Sequence, residues 1–278
     1  SVGAFHQWGV VKGKGAVYFF DAYHRKFFRY SKGPEPLSDI KGMSSWFFDK
    51  IEGSILTSDN PILFKGVTAV YDQRFSEAIF TFHTGVPTET LPDLPGGSAG
   101  KLPTATANSQ FTLVFNEMTN AFTGFYSHFP RHYISDSRRI FSQPPQGYPV
   151  YIHDEGVRGV FYGVASPSII EIIVNPKGSW TKVFNNIEYL TEASDSTGAD
   201  LVNVTFDRLK VSNEYQSTGD VTLVVDDNVR RRMRTWRGQI PRDGKARIRN
   251  PYMIMKLEYD NTTTEKRLII HDILTHYL

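Results

Sequence analysis

Cysteine is absent from all 278 residues, which excludes disulfides, thiolate metal sites and cysteine nucleophiles. Packing and strand pairing must stabilise the fold without them. No stretch nears the ~18 consecutive apolar residues of a membrane-spanning helix. No charge of one sign dominates: 31 Lys and Arg stand against 29 Asp and Glu, a net charge of +2. A dedicated nucleic-acid binder normally carries a strong basic surplus. The opening SVGAFHQWGVVKGKG lacks the basic start and apolar core of a signal peptide. It also lacks an initiator Met and enters a strand almost at once, so the expectation is a segment of a longer protein. Asn203-Val-Thr and Asn261-Thr-Thr fit the glycosylation pattern, but two matches in this length arise by chance.

Catalytic signatures are missing as well. There is no G-x-S-x-G elbow, Walker loop or dinucleotide fingerprint, and Gly9-Val-Val-Lys-Gly-Lys-Gly15 has the wrong spacing for a phosphate loop. Eight histidines are scattered: His6, His24, His83, His128, His132, His153, His271 and His276. His128 and His132 have helical metal-site spacing, but Pro130 lies between them and no Glu follows His128. His153-Asp154 and His271-Asp272 are neighbours at or near strand positions, where successive side chains point to opposite faces. Neither pair can build the orienting bond of a catalytic triad. The expectation is a non-enzyme with no catalytic residue, no cofactor and no metal.

What the chain has is aromatic: 20 Phe and 14 Tyr, residues that suit pleated surfaces. Four times an apolar run ends in Asp or Asn, turns through a few polar residues and restarts. The copies are VYFFD-AYHRK-FFRYS (17–31), TAVYD-QRFSE-AIFTF (68–82), TLVFN-EMTN-AFTGFYS (112–127) and VYIHD-EGVR-GVFYG (150–163). Hairpins at such intervals are the pattern of a blade-built β-propeller. Continuous apolar runs imply burial on both faces. Asp21, Asp72, Asn116 and Asp154 are read as turn residues whose side chains accept hydrogen bonds from turn amides.

An all-β fold follows, with partial or complete propeller blades over 1–165 and a β-sandwich-like unit over 166–278. Residues 83–107, HTGVPTETLPDLPGGSAGKLPTATA, interrupt the blades with four prolines and a Gly-rich stretch. They are either an arm that orders against a neighbouring subunit or a loop without a role. In the second part, 168–174 and 182–187 read as strands and 192–200 as a linker. Met253, Met255, Leu257 and Tyr259 alternate with Ile254, Lys256 and Glu258, as in a sheet with one wet face.

The strongest charge feature is Arg230-Arg-Arg-Met-Arg-Thr-Trp-Arg237. As one strand it places Arg230, Arg232 and Arg234 on one side and Arg231 and Arg237 on the other. Arg and Trp dominate protein–protein hot spots, so Arg230, Arg232, Arg234, Trp236 and Arg237 form a candidate assembly interface. An ordinary salt-bridged strand and a nucleic-acid contact remain open beside it.

The texture GAVYFFDAYHRKFFRYS…PLSDIKGMSSWF resembles the propeller of phage packaged-DNA stabilisation and tail-hub proteins. TAVYD…EAIFTF, FTLVFNEMTNAFTGFYSHFPRHYI, VYIHDEGVRGVFYG, FDRLKVSNEYQSTG, TWRGQIPRDG and YMIMKLEYDN resemble the stabilisation, or muzzle, proteins of crAss-like bacteriophages, from about residue 9 to the end. Segment 83–107 has no counterpart in that likeness. The resemblance implies a structural virion protein of a short tail, made in the host cytoplasm. It implies a cap on the tail channel that retains packaged DNA and opens when the genome leaves. Implied partners are other copies in a ring, other tail and portal-proximal proteins, and non-specific contact with packaged DNA, without membrane insertion. A carbohydrate-binding tail propeller that recognises a receptor is the rival, with Trp8, Trp46, Trp180 and Trp236 available to stack on sugars.

Overall fold

The computed structural model describes residues 2–51, 58–61, 65–84, 110–136, 138–145, 149–261 and 266–278. The interrupting segment expected at 83–107 lies outside the described residues from 85 onward; its first two residues end a strand. The chain is all-β, and it divides into two compact units, Ser1–Glu155 and Gly156–Leu278.

Among the described residues the first unit holds three antiparallel sheets. The first joins β1 (Val10–Lys12), β2 (Val17–Asp21), β3 (Lys26–Tyr30) and β4 (Pro34–Pro36) in chain order. Two short helices that the sequence did not announce follow, α1 (Leu37–Ile40) and α2 (Ser44–Lys50). The second sheet joins β5 (Lys65–Asp72), β6 (Glu77–Thr84), β7 (Phe111–Asn116) and β8 (Ala121–Tyr126), also in chain order. The third is β9 (His132–Ser135), β10 (Ile140–Gln143) and β11 (Tyr151–Ile152). Four-stranded meanders of this kind are the units from which propellers are built. Hairpins two and three therefore share one sheet, paired through β6 and β7, so four hairpins do not mean four sheets.

Alternate residues of the second sheet explain its unbroken apolar runs. Phe80, Phe82, Leu113 and Phe115 pack with Tyr18, Phe20 and Phe27 of the first sheet and Phe47 of α2. Val70, Ile79 and Val114 pack instead with Tyr133 and Ile140 of the third. The sheet is covered on both sides, as its sequence implied.

The repeated turns share one chemistry. Each of the first three copies closes with a four-residue loop, set by the pairs Asp21↔Lys26, Asp72↔Glu77 and Asn116↔Ala121. The last loop residue is left-handed in each: Arg25, Ser76 and Asn120, at φ 52°, 57° and 51°. Asp21 accepts a bond from the His24 amide at 3.0 Å, Asp72 from Arg74 and Phe75 at 2.8 and 3.2 Å, and Asn116 from Met118 and Thr119 at 3.0 Å each. The fourth copy departs from the expectation. β11 pairs back onto β10, while β12 (Val160–Phe161) pairs with β13 (Val164–Ala165). Asp154 is itself left-handed, at φ 60°, and its carboxylate meets Arg74 at 3.0 Å. The extra glycines in EGVR-GVFYG let the chain turn away before a matching hairpin can zip up.

The second unit is a sandwich. One sheet runs β14 (Ser168–Val174), β21 (Met253–Tyr259), β16 (Arg208–Ser212), β17 (Val221–Thr222). In the other, β15 (Lys182–Ser194) is the hub: β19 (Thr235–Gln239) and β20 (Arg249–Asn250) pair along it, β18 (Val229–Arg232) pairs with β19, and β22 (Arg267–Tyr277) pairs with β15. Met253, Met255 and Leu257 alternate inward as expected, against Phe184, Ile187 and Tyr189 of the facing sheet. β15 continues through Thr191 and Ala193, both buried, into the stretch expected to be linker. The turn comes only at Asp195, whose carboxylate accepts the amides of Thr197 and Ala199 at 2.8 and 2.9 Å.

Candidate functional site

The arginine stretch is a hairpin and not one strand. Its two turn residues, Met233 and Arg234, are both left-handed, at φ 47° and 68°. That is the conformation of a two-residue primed turn, usually made by Asn-Gly. Register then pairs Arg230↔Arg237, Arg231↔Trp236 and Arg232↔Thr235. Reversal of the chain returns Arg237 to the face of Arg230 and Arg232, where a continuous strand would have put it opposite. Arg231 and Trp236 share the inner face. Trp236 is wholly buried in the sandwich core, so it cannot serve as an exposed anchor. The Arg231 guanidinium lies 5.7 Å from its ring centre. An indole among Ile187, Tyr189 and Met255 contributes its area to folding and leaves none for a partner.

On the outer face, Arg237 Nε reaches Glu188 Oε1 at 3.2 Å, and the same carboxylate oxygen meets His276 Nε2 at 3.2 Å. Arg230, Arg232 and Arg234 form no ion pair among the described residues, and Met233 at the tip is fully exposed. Sequence reading missed two members of this face. Arg249 of β20 lies opposite Val183 on β15, and Arg247 binds Asn185. With Ile248 and Asn250 buried, alternation turns Arg247 and Arg249 outward. Only the β15 register places them on the same face as Arg237, with Val183, the partner of Arg249, five residues along the strand from Glu188, the partner of Arg237.

The histidines gather differently from the sequence pairs. His83 is buried on the face of the second sheet where Thr81 binds Thr112 and Tyr133, each at 2.8 Å. His153 Nε2 and Ser142 Oγ are 2.5 Å apart, and the His128 and His153 rings meet edge to face at 5.4 Å. Burial pushes His83 down to about 4 and His128 down to about 3, so both rings are neutral at neutral pH. His132 does not join this group; its ring meets Trp8 at 4.5 Å. His271 pairs with Glu192 at 3.3 Å. No three His, Asp or Glu side chains group to hold a metal ion among the described residues. Ser142 is itself buried, so the Ser142–His153 contact reads as packing and not as an activated nucleophile.

Glu117, the first residue of the loop that follows Asn116, binds the first sheet to the second. Its carboxylate accepts the amides of Lys14 and Gly15 at 3.0 and 2.9 Å and the Tyr18 hydroxyl at 3.0 Å, and it also takes the Tyr71 hydroxyl. Gly13 is required by this approach, because a Cβ there would lie 2.8 Å from the Tyr18 ring. Burial works to raise the Glu117 value, but the four donors outweigh it and hold it below the ordinary carboxylate range. Burial and this carboxylate push Tyr71 up to about 12. The nearby cleft of about 150 Å³ is lined by Arg74, Asp136, Arg139 and Asp154, already matched as Arg74–Asp154 and Arg139–Asp136 pairs. Among the tryptophans, Trp46 packs on Phe47 and Phe111, whereas Trp180 is largely exposed, with the Lys177 ammonium 5.5 Å from its ring centre.

Residues 1–146 match the family model described as Crassvirus muzzle protein, and residues 156–243 match that of the Crassvirus muzzle protein C-terminal domain. No curated protein matches the chain.

Proposed function

Since the chain belongs to the Crassvirus muzzle protein family and is thus a structural virion protein of a crAss-like phage, we propose that it caps the tail channel. Copies assemble head to tail into a ring that retains packaged DNA and yields when the genome leaves. Neighbouring tail and portal-proximal proteins complete the seal, and the protein works through surfaces, without an active site. The observation that carries the ring is a pair of strand edges in the second unit that have no strand partner among the described residues. β14 ends one sheet and β22 ends the other, and the two flank a cleft of about 300 Å³ lined by Ile169, Ile170, Leu268 and Ile270, with Arg158, Lys266 and Arg267 at its walls. Ile169 and Ile173 of β14 are 52% and 71% exposed. Such an edge is a template for pairing with another chain unless it is blunted by charge, proline or a cover. A closed ring supplies the cover, because every β14 edge meets a neighbour.

Replacing Ile169 and Ile173 together by Lys places two charges on that edge while leaving the inward Ile170, Ile172 and Val174 in the core. The expected outcome is folded protein that fails to assemble, read by analytical ultracentrifugation and by electron microscopy of mutant particles. Particles that form normally and keep their genome with this double variant would rule the edge contact out.

A further inference from the structure

The outer face around β18, β19 and β20 combines features that local stability does not explain. Five arginines, Arg230, Arg232, Arg237, Arg247 and Arg249, point the same way. Arg230 and Arg237 are directly opposed across two strands, an arrangement of like charges that destabilises a sheet. Only Arg237 has a carboxylate among the described residues, Glu188, and His276 shares it. The hairpin tip adds a sixth cation, Arg234, held in a left-handed conformation next to a second strained residue, Met233. Between the arginines lie Thr235, Gln239, Asn185 and Asn186, which are hydrogen-bond donors and not apolar anchors.

From this we infer that the face binds the phosphate backbone of a nucleic acid without reading its sequence. An interface with protein of the usual kind has an aromatic or apolar centre inside a polar rim. Here the one tryptophan of the segment is turned into the core, and the exposed centre is guanidinium. Guanidinium forks match phosphate oxygens in pairs, and amide and hydroxyl side chains serve the same oxygens and the sugars. Arg230 and Arg232 lie two residues apart on one strand, roughly 6.6 Å along it, so they meet separate phosphates. The near-neutral charge of the whole chain does not oppose this, since binding answers to the local field. The biological setting rests on the DNA-retention reading above; the binding itself rests on this face alone.

The test uses the full chain and fluorescent DNA, duplex and oligo-dT, followed by anisotropy from about 50 to about 200 mM salt. Wild type should bind with affinity falling linearly in log–log form. The triple variant Arg230→Gln, Arg232→Gln, Arg249→Gln should bind at least ten times more weakly. Its slope on duplex should be shallower by about 0.9 for each phosphate that is no longer neutralised. Arg138→Gln, in the first unit, should leave both quantities unchanged. Near-ultraviolet circular dichroism, which reports the packing around Trp236, confirms that the variant is folded. The inference falls if wild type shows no binding at the lowest salt, or if the triple variant keeps the wild-type slope. It also falls if poly-glutamate displaces DNA as well as unlabelled DNA does, which would assign the face to an acidic protein. Oligomeric state is measured on the same samples: a variant that assembles but does not bind DNA supports this inference. Failure of wild type to assemble, with DNA binding intact, strikes the ring and leaves this inference standing.

Discussion

Two ionisable groups, buried His83 and half-buried Glu117, tie the stability of the first unit to pH. His83 titrates near 6.5 when exposed and is pushed by burial to about 4 in the folded protein. Between those values the unfolded chain binds the extra proton, so stability is full above about 6.5 and falls as pH drops toward 4, by roughly 3 kcal/mol. Glu117 acts in a lower window. Its folded value lies below its unfolded one, so its contribution is present above the ordinary carboxylate range and disappears as pH falls through the depressed value. Denaturant unfolding across pH should show His83→Gln flattening the upper window, and an unaltered slope would exclude that ring as the cause. Glu117→Gln should cost about 1–3 kcal/mol at neutral pH, because four donors lose their charged acceptor. Asp21, Asp72 and Asn116 were legible as turn acceptors because each bonds to amides two or three residues away. Glu117 was not, since Lys14, Tyr18 and Tyr71 lie 103, 99 and 46 residues from it.

Elements were legible where their punctuation was. The first three hairpins carry Asp or Asn at the strand end, and all three form. The β18–β19 hairpin carries no Gly, Asn, Asp or Pro between Arg230 and Arg237, so nothing in the sequence announced a turn. That Met233 and Arg234 turn all the same means the flanking pairs, with Trp236 buried behind them, impose the conformation on unsuited residues. Replacing Met233 by Asn and Arg234 by Gly should relieve the strain and stabilise the protein by about 1 kcal/mol or more. The melting midpoint should rise by about 2–4 °C; a fall would mean the present turn is not strained. The merging of hairpins two and three into one sheet was hidden for another reason. Their 44-residue spacing is close to a blade repeat, and pairing of β6 with β7 across the 26 residues between Thr84 and Phe111 leaves no local mark.

At the scale of the whole molecule, all-β architecture followed from aromatic content and interrupted apolar runs, and each unit encloses a core of its own. Tyr18, Phe80 and Phe115 belong to one core, and Phe184, Trp236 and Met255 to the other, with no residue in common. Titratable burial is divided unequally between them. His83, His128, His132 and His153, all held below the ordinary histidine value by burial, lie in Ser1–Glu155. The histidines of Gly156–Leu278, His271 and His276, are partly exposed and lie 3.3 Å from Glu192 and 3.2 Å from Glu188. Acidification from neutral pH toward 5 therefore works against the first unit through its buried rings. Hydrogen exchange on the full chain should show amides of β6, β7 and β10 losing protection at pH 5 while those of β15 and β21 keep theirs. Equal loss in both units would mean the cores unfold as one, and earlier loss in the second would mean that the exposed ion pairs, and not the buried rings, govern the response to acid.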